Sequence, residues 1–112
     1  MKRVLAIGNS LVDFIIKLPN FEYLEKIGLP KGSMNLVNIE TIEKILQDTK
    51  EYQIQQSAGG SAANTINGLA KLNVPTAFIG KIGADMTGKF FNQDLQHNSV
   101  GALLKTSDSP TG

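Results

Sequence analysis

Two short stretches carry residue types that could hold a ligand. The first is Ser57-Ala58-Gly59-Gly60-Ser61-Ala62-Ala63-Asn64, which joins a polar, β-prone run to an apolar-periodic one. Paired glycines let the backbone turn sharply and let a ligand come close to it. A helix starting near Gly60 would leave its first amide N–H groups free and partly positive. With Ser61 and the Asn64 amide beside it, such a turn suits a phosphate or a sugar hydroxyl. The competing reading is a tight strand-to-helix turn with glycine for packing, because short glycine motifs often match by chance. The second stretch is Gly8-Asn9-Ser10-Leu11-Val12-Asp13. Asp13 stands inside an apolar run, where a buried, unpaired acid is costly. It either faces solvent or has a task, and Asn9 and Gly8 weigh toward the task.

A third stretch is set aside. Gly83-Ala84-Asp85-Met86-Thr87-Gly88-Lys89 has the glycine and lysine spacing of a P-loop, but Phe90 stands where a Mg²⁺-binding hydroxyl is needed. Asp85 would also place a carboxylate beside the phosphates. The segment reads instead as a capped helix start.

The elements that must position these residues follow from periodicity. Val4 to Ile7 is an apolar run that predicts a fully buried strand of a parallel sheet. Gly8 to Ser10 is then the loop at its C-terminal end, where α/β sheets hold ligands. Leu11 to Leu18 resumes β character. Asn20 to Ile27 predicts a short helix capped by Asn20 and stopped by Gly28. Lys31 to Val37 predicts a strand. Asn38 caps a helix from Ile39 to Thr49, with Ile39, Ile42, Ile45 and Leu46 on one face. Glu51 to Gln56 is a polar strand suited to an edge or a lid. The stripe Ile66, Leu69, Ala70, Leu72 predicts a helix ended by Asn73 and Val74-Pro75. Thr76 to Ile82 is a strand, Asp85 caps a helix from Met86 to about His97, and Ala102 to Lys105 is a strand. Alternating strands and helices from Gln55 onward predict βαβ units. The lone His97 reads as a surface residue near a helix C-terminus.

Composition bounds the rest. The chain has 112 residues, with 41% hydrophobic and 19% charged, as in a globular domain. The net charge of +1 gives no electrostatic case for nucleic acid or an anionic membrane. The absence of cysteine excludes disulfides and thiolate metal sites and fits a cytoplasmic protein. The opening apolar run is too short for a signal peptide.

Taken together, the motifs resemble the N-terminal part of the ribokinase or PfkB family of carbohydrate and nucleoside kinases. Four pieces carry the resemblance: Gly8–Asp13, Gly59–Asn64, Gly80–Gly88 and Pro110-Thr111-Gly112. Lys31 to Val37 further resembles the adenosine-kinase-like branch. The resemblance implies a ribokinase-like α/β fold, a parallel sheet flanked by helices with a small β lid over 11–18, 31–37 and 51–57. It implies transfer of the γ-phosphoryl group of ATP, with Mg²⁺, to a hydroxymethyl group of a sugar or nucleoside. By position, Asn9 and Asp13 would hold sugar hydroxyls, Gly59, Gly60 and Asn64 would line the same pocket, and Ser61 would help. The family's catalytic base and ATP site belong to a C-terminal half marked by a Gly-Ala-Gly-Asp-type motif that is absent here. No catalytic or metal-binding residue is therefore assigned, and the 112 residues alone are expected to be inactive. Adenosine, ribose and fructose stay undistinguished, a homodimer through lid strands stays open, and a non-catalytic sugar- or nucleoside-binding fragment is the alternative.

Overall fold

The computed structural model describes residues 2–112. Strand β1 is Val4–Ile7, β2 Leu11–Ile16, β3 Ile54–Gly59, β4 Thr76–Gly83 and β5 Gly101–Ser107. Helix α1 is Glu22–Ile27, α2 Ile39–Asp48, α3 Ser61–Lys71 and α4 Met86–His97. The chain divides into two compact units, one of residues 2–13 and 56–112, the other of 14–55.

In the first unit β1, β4 and β5 form a three-stranded sheet in the order β1-β4-β5, with both pairings parallel. Parallel neighbours need a crossover, and α4 supplies it between β4 and β5. Helix α3 packs on β1 and β4, and α4 on β4 and β5. Ala63, Ile66, Phe91 and Leu95 from the helices meet Phe78 and Ile82 in one cluster. Phe78 and Phe91 are fully buried and meet edge to face, with ring centroids 5.5 Å apart. Each such burial contributes about 1.5–3 kcal/mol, and the aromatic pairing adds about 1 kcal/mol.

The run Val4 to Ile7 is a strand, as expected, but it is not buried. Leu5 and Ile7 are exposed, Ile7 to 73%. Successive strand residues face opposite sides, and only Ala6 packs against the core. β1 is an edge strand, and the sheet face that carries Leu5, Ile7 and Leu103 is open.

Other boundaries moved for local reasons. Asn20 does not cap α1 at its own position: Phe21 is the cap residue, and the Asn20 side chain accepts from the Glu22 N–H at 3.0 Å. Gly28 ends that helix in the left-handed conformation, φ 75°, as expected. The strand expected over 31–37 is absent, and so is any strand in the Pro110-Thr111-Gly112 segment. In 31–37, Gly32 has positive φ and Ser33 Oγ donates to the Pro30 carbonyl at 2.7 Å. That turn replaces ladder pairing, and Met34 and Leu36 are left fully exposed. The two-stranded sheet joins β2 and β3 alone. Asn38 caps α2 by accepting from the Thr41 N–H at 2.8 Å. In the unit 14–55, Tyr23 donates to Asp48 at 2.9 Å, which ties α1 to α2. Burial and this hydrogen bond raise the Tyr23 pKa, and the same bond holds the Asp48 carboxyl low.

Asp85 is the cap expected for α4, and it does more than cap. One carboxylate oxygen accepts from the Gly88 N–H at 2.7 Å and from the Thr111 hydroxyl at 2.6 Å. The other accepts from the Thr111 N–H at 2.9 Å, and Thr111 Oγ1 in turn accepts from the Gly83 N–H at 2.7 Å. The Thr111 hydroxyl, then the Thr111 and Gly88 amides, lower the pKa of Asp85 from its ordinary 3.8.

Two outcomes follow. Phe91→Ala costs about 3–5 kcal/mol by transfer and cavity terms, read as a fall in the urea midpoint. Asp85→Ala loses a cap worth about 1 kcal/mol, read as a melting point lower by several degrees. Because the folded Asp85 carboxyl is the stronger acid, its contribution is intact above the ordinary carboxyl range and fades as pH falls through the lower folded value. Acid titration of stability therefore shows a smaller loss below pH of about 4 in Asp85→Asn than in the parent chain.

Candidate functional site

The loop Gly8-Asn9-Ser10 leaves the C-terminal end of β1, and the Gly8 N–H donates to the Ile79 carbonyl on β4 at 3.2 Å. The chain then enters β2, which carries Asp13. From the other direction β3 runs into Gly59, and Gly60, at φ 91° and ψ 146°, turns the chain into α3. An L side chain is strained at that φ, so glycine is the residue that makes this turn without cost.

Asp13 and Gly59 are pressed together. A Cβ placed on Gly59 would collide with the Asp13 carboxylate, and all three nearest atoms to it belong to that group. Gly59 therefore provides the seat on which the carboxylate rests. Gly60 lies against the other end of the same loop, with the Asn9 carbonyl oxygen 3.5 Å from the position of its absent Cβ. Four of the six residues singled out in the sequence (Asn9, Asp13, Gly59 and Gly60) are thus brought together. Asp13 and Asn9 are exposed, so the carboxylate is open to a ligand and is not buried.

Ser61 and Asn64 occupy the first turn of α3, both exposed. The Asn64 N–H closes the first helical bond to Gly60 O at 2.9 Å, and Ser61 O accepts from the Thr65 hydroxyl at 2.8 Å. Neither the Ser61 nor the Asn64 side chain makes a hydrogen bond among the described residues, which leaves both polar groups available.

A cleft of about 370 Å³ opens at this end of the sheet, lined by residues 8–11 with Lys81, Pro110 and Gly112. Of the six residues, Asn9 alone is on its wall. Ser10, Lys81 and Pro110 were not singled out as ligand residues from the sequence. Lys81 lies inside the Gly80–Gly88 motif, and its strand position could have drawn attention to it. The Pro110–Gly112 wall is set by the Asp85 clamp on Thr111, a contact across 26 residues that no local pattern reveals. Two smaller hollows, of about 220 Å³ each, lie in the unit 14–55 and contain none of the six residues.

The glycine-rich start of α4 does not fit a nucleotide phosphate. Its Gly88 amide already donates to Asp85, and that carboxylate would repel an anion. Among the described residues no group of three His, Cys, Asp or Glu is placed to hold a metal ion, and no helix is long and apolar enough to cross a membrane.

Residues 1–112 match the family described as pfkB family carbohydrate kinase. Among proteins of known activity, the chain is 29% identical over 87 residues to a ribokinase of Staphylococcus aureus, covering 72% of this chain and 29% of the relative. It is 42% identical over 57 residues to a 5-dehydro-2-deoxygluconokinase of Listeria monocytogenes, covering 48% of this chain and 18% of the relative. Among solved structures, adenosine kinase from Sinorhizobium meliloti superposes with TM-score 0.75 at 35% identity, covering 97% of this chain and 33% of that one. Adenosine kinase from Schistosoma mansoni, in complex with adenosine, superposes with TM-score 0.74 at 27% identity, covering 96% of this chain and 32% of that one. The chain thus spans about a third or less of the length of the proteins it matches. The strand-loop with Asn9 and Asp13, the Gly59-Gly60 turn and the capped α4 start follow one another on a parallel α/β sheet, and by these motifs and this match the chain belongs to the pfkB family of carbohydrate kinases.

Proposed function

We propose that the chain is the substrate-binding part of an ATP-dependent sugar or nucleoside kinase, holding an adenosine- or ribose-like substrate by its hydroxyls. The observation that carries this reading is the exposed Asp13 carboxylate seated on Gly59 beside the Asn9 loop. An ionised carboxylate accepts several hydroxyl hydrogens, and an amide side chain both donates and accepts. Ser61 and Asn64, at the first turn of α3, add unpaired polar groups, and the free N–H groups of that turn add partial positive charge. Such fixed donors and acceptors orient a polyol so that one hydroxymethyl oxygen faces the incoming phosphoryl group. The chain's similarity to a ribokinase and to adenosine kinases supports a sugar or nucleoside as the substrate class.

ATP and Mg²⁺ supply the phosphoryl group and neutralise its charge when bound. The residues of this chain do not fit them, so we assign their site to the remainder of the kinase. What Asp13, Asn9 and the α3 turn contribute is binding and orientation. The lid over 11–18, 31–37 and 51–57, a homodimer through its strands and a cytoplasmic location belong to the same proposal. A non-catalytic sugar- or nucleoside-binding fragment is the second reading, favoured by the same misfit of phosphate at the α4 start.

Calorimetric titration of the chain with ribose and with adenosine tests the site. Asp13→Ala weakens binding by about tenfold or more, as expected when hydrogen bonds to a charged group are lost. Gly59→Ala puts a methyl where the carboxylate lies. The carboxylate is the end of a side chain and yields, so the variant stays folded and loses affinity much as Asp13→Ala does. Unchanged affinity in Asp13→Ala overturns the pocket. Incubation of the chain with MgATP and either substrate yields no ADP above background, and turnover by these 112 residues overturns the division of roles.

A further inference from the structure

The segment that forms one wall of the cleft has no ladder to hold it. Residues 108–112, beyond β5, belong to neither a strand nor a helix. Among the described residues, their hydrogen bonds to the rest of the fold beyond β5 are those of Thr111. Thr111 donates its N–H to one Asp85 oxygen at 2.9 Å and its hydroxyl to the other at 2.6 Å. The same hydroxyl accepts from the Gly83 N–H at 2.7 Å. On either side of Thr111, Pro110 and Gly112 line the cleft together with Asn9 and Ser10. The Ser10 carbonyl oxygen lies 4.0 Å from where a Cβ on Gly112 would stand.

Capping of α4 does not account for this construction. A cap requires the bond from Gly88 to Asp85 and no more. The sequence makes further provision for Thr111. A Cβ on Gly83 would stand 2.5 Å from the Ser109 carbonyl oxygen, and one on Gly88 would stand 2.7 Å from Thr111 Oγ1. Neither glycine has positive φ. The fold therefore uses the room that their missing side chains leave, not their backbone freedom. Thr111 in turn supplies a hydroxyl that donates and accepts at once. Asp85 is not on the cleft wall, and its oxygens are turned to Thr111 and Gly88. Paired glycines, an acid and a threonine thus converge on fixing a short irregular segment beside the Asn9 loop. Small displacements of such a wall change binding strongly, because the ligand groups no longer meet their partners.

We propose that Asp85 is a positioning residue for the substrate. Acting through Thr111, it fixes the Pro110–Gly112 wall against the Asn9 loop, so that wall and loop meet the substrate together. The acid at the start of α4 sets affinity from outside the cleft. This rests on the polyol reading of Asn9 and Asp13 and goes beyond it by giving the α4 start a part in binding. Such coupling is reciprocal: a clamp that tightens the hold on a ligand is itself tightened by that ligand, by the same factor.

The test measures ribose and adenosine affinity by calorimetry, at a temperature where circular dichroism shows every variant folded. Asp85→Ala and Thr111→Val weaken binding by about fivefold or more, the lower end of what coupled sites show. Thr111→Ser keeps both clamp bonds and binds as the parent does. Val100→Ala truncates a buried side chain at the opposite end of the sheet. It lowers the melting point and leaves affinity unchanged, which separates positioning from stability. In the parent chain, saturating ligand slows hydrogen exchange of the Thr111 and Gly83 amides by about the same factor. If Asp85→Ala does not fold, Thr111→Val and the exchange measurement hold the test. Clamp variants that melt lower yet bind as Val100→Ala does, with affinity still lost in Asp13→Ala, overturn the positioning role and leave the polyol site standing. If the parent binds neither ligand, this inference and the polyol reading fall together.

Discussion

A carboxylate and a methyl group cannot occupy one place, and the candidate site depends on that exclusion. The Asp13 side chain of β2 takes the space that any side chain at position 59 would fill. With the acid in that place β3 ends in a residue without a Cβ, since a Cβ there would push the carboxylate off its seat. The next residue must turn the chain at φ 91°, which again selects glycine. From those two requirements α3 starts at Ser61, and Asn64 falls in its first turn. One steric constraint thus places the acid, the turn and the helix start together. It also explains why two glycines are adjacent where one would suffice for a turn.

The other half of the cleft depends on Asp85. Its two oxygens accept three hydrogen bonds, from the Gly88 amide, the Thr111 hydroxyl and the Thr111 amide, and that hydroxyl accepts a fourth from the Gly83 amide. Charge-assisted bonds of this kind are shorter and stronger than neutral ones. They bring Pro110 and Gly112 to the wall that faces the Asn9 loop. The arrangement accounts for the false appearance of a P-loop. The amide that would meet a phosphate is used internally by an acid of the same segment.

The sheet shows how little an apolar run says about burial by itself. Ile7, Ile79 and Leu103 stand in one row, and Ile7 and Leu103 are exposed at its two ends. Ala6, Phe78 and Ala102, one residue earlier in each strand, pack against the core formed with α3 and α4. The same strands are core on one side and open on the other because both helices lie against a single face.

Local chemistry was legible where local chemistry decides. Asn38 and Asp85 cap their helices because an oxygen-bearing side chain before an apolar-periodic run accepts the free N–H groups of that run. Gly28 ends α1 because glycine takes the left-handed conformation without the Cβ penalty of other residues. The parallel pairing of β4 and β5 followed from two strands separated by a helix, but β3, expected in the same series, leaves that sheet and pairs with β2. Spacing also carried the family motifs, and with them Asn9, Asp13, Gly59, Gly60, Ser61 and Asn64 as residues to look at. What required the folded chain were the relations between distant segments. These were the seating of Asp13 on Gly59, the hold of Asp85 on Thr111, and the exposure of β1. The strand expected over 31–37 failed for the same reason: β propensity makes a strand only where a partner strand supplies hydrogen bonds, and the turn around Gly32 left it without one. Caps and turns are set by neighbours in sequence, whereas clefts, registers and burial are set by neighbours in space, and only the tertiary structure brings those together.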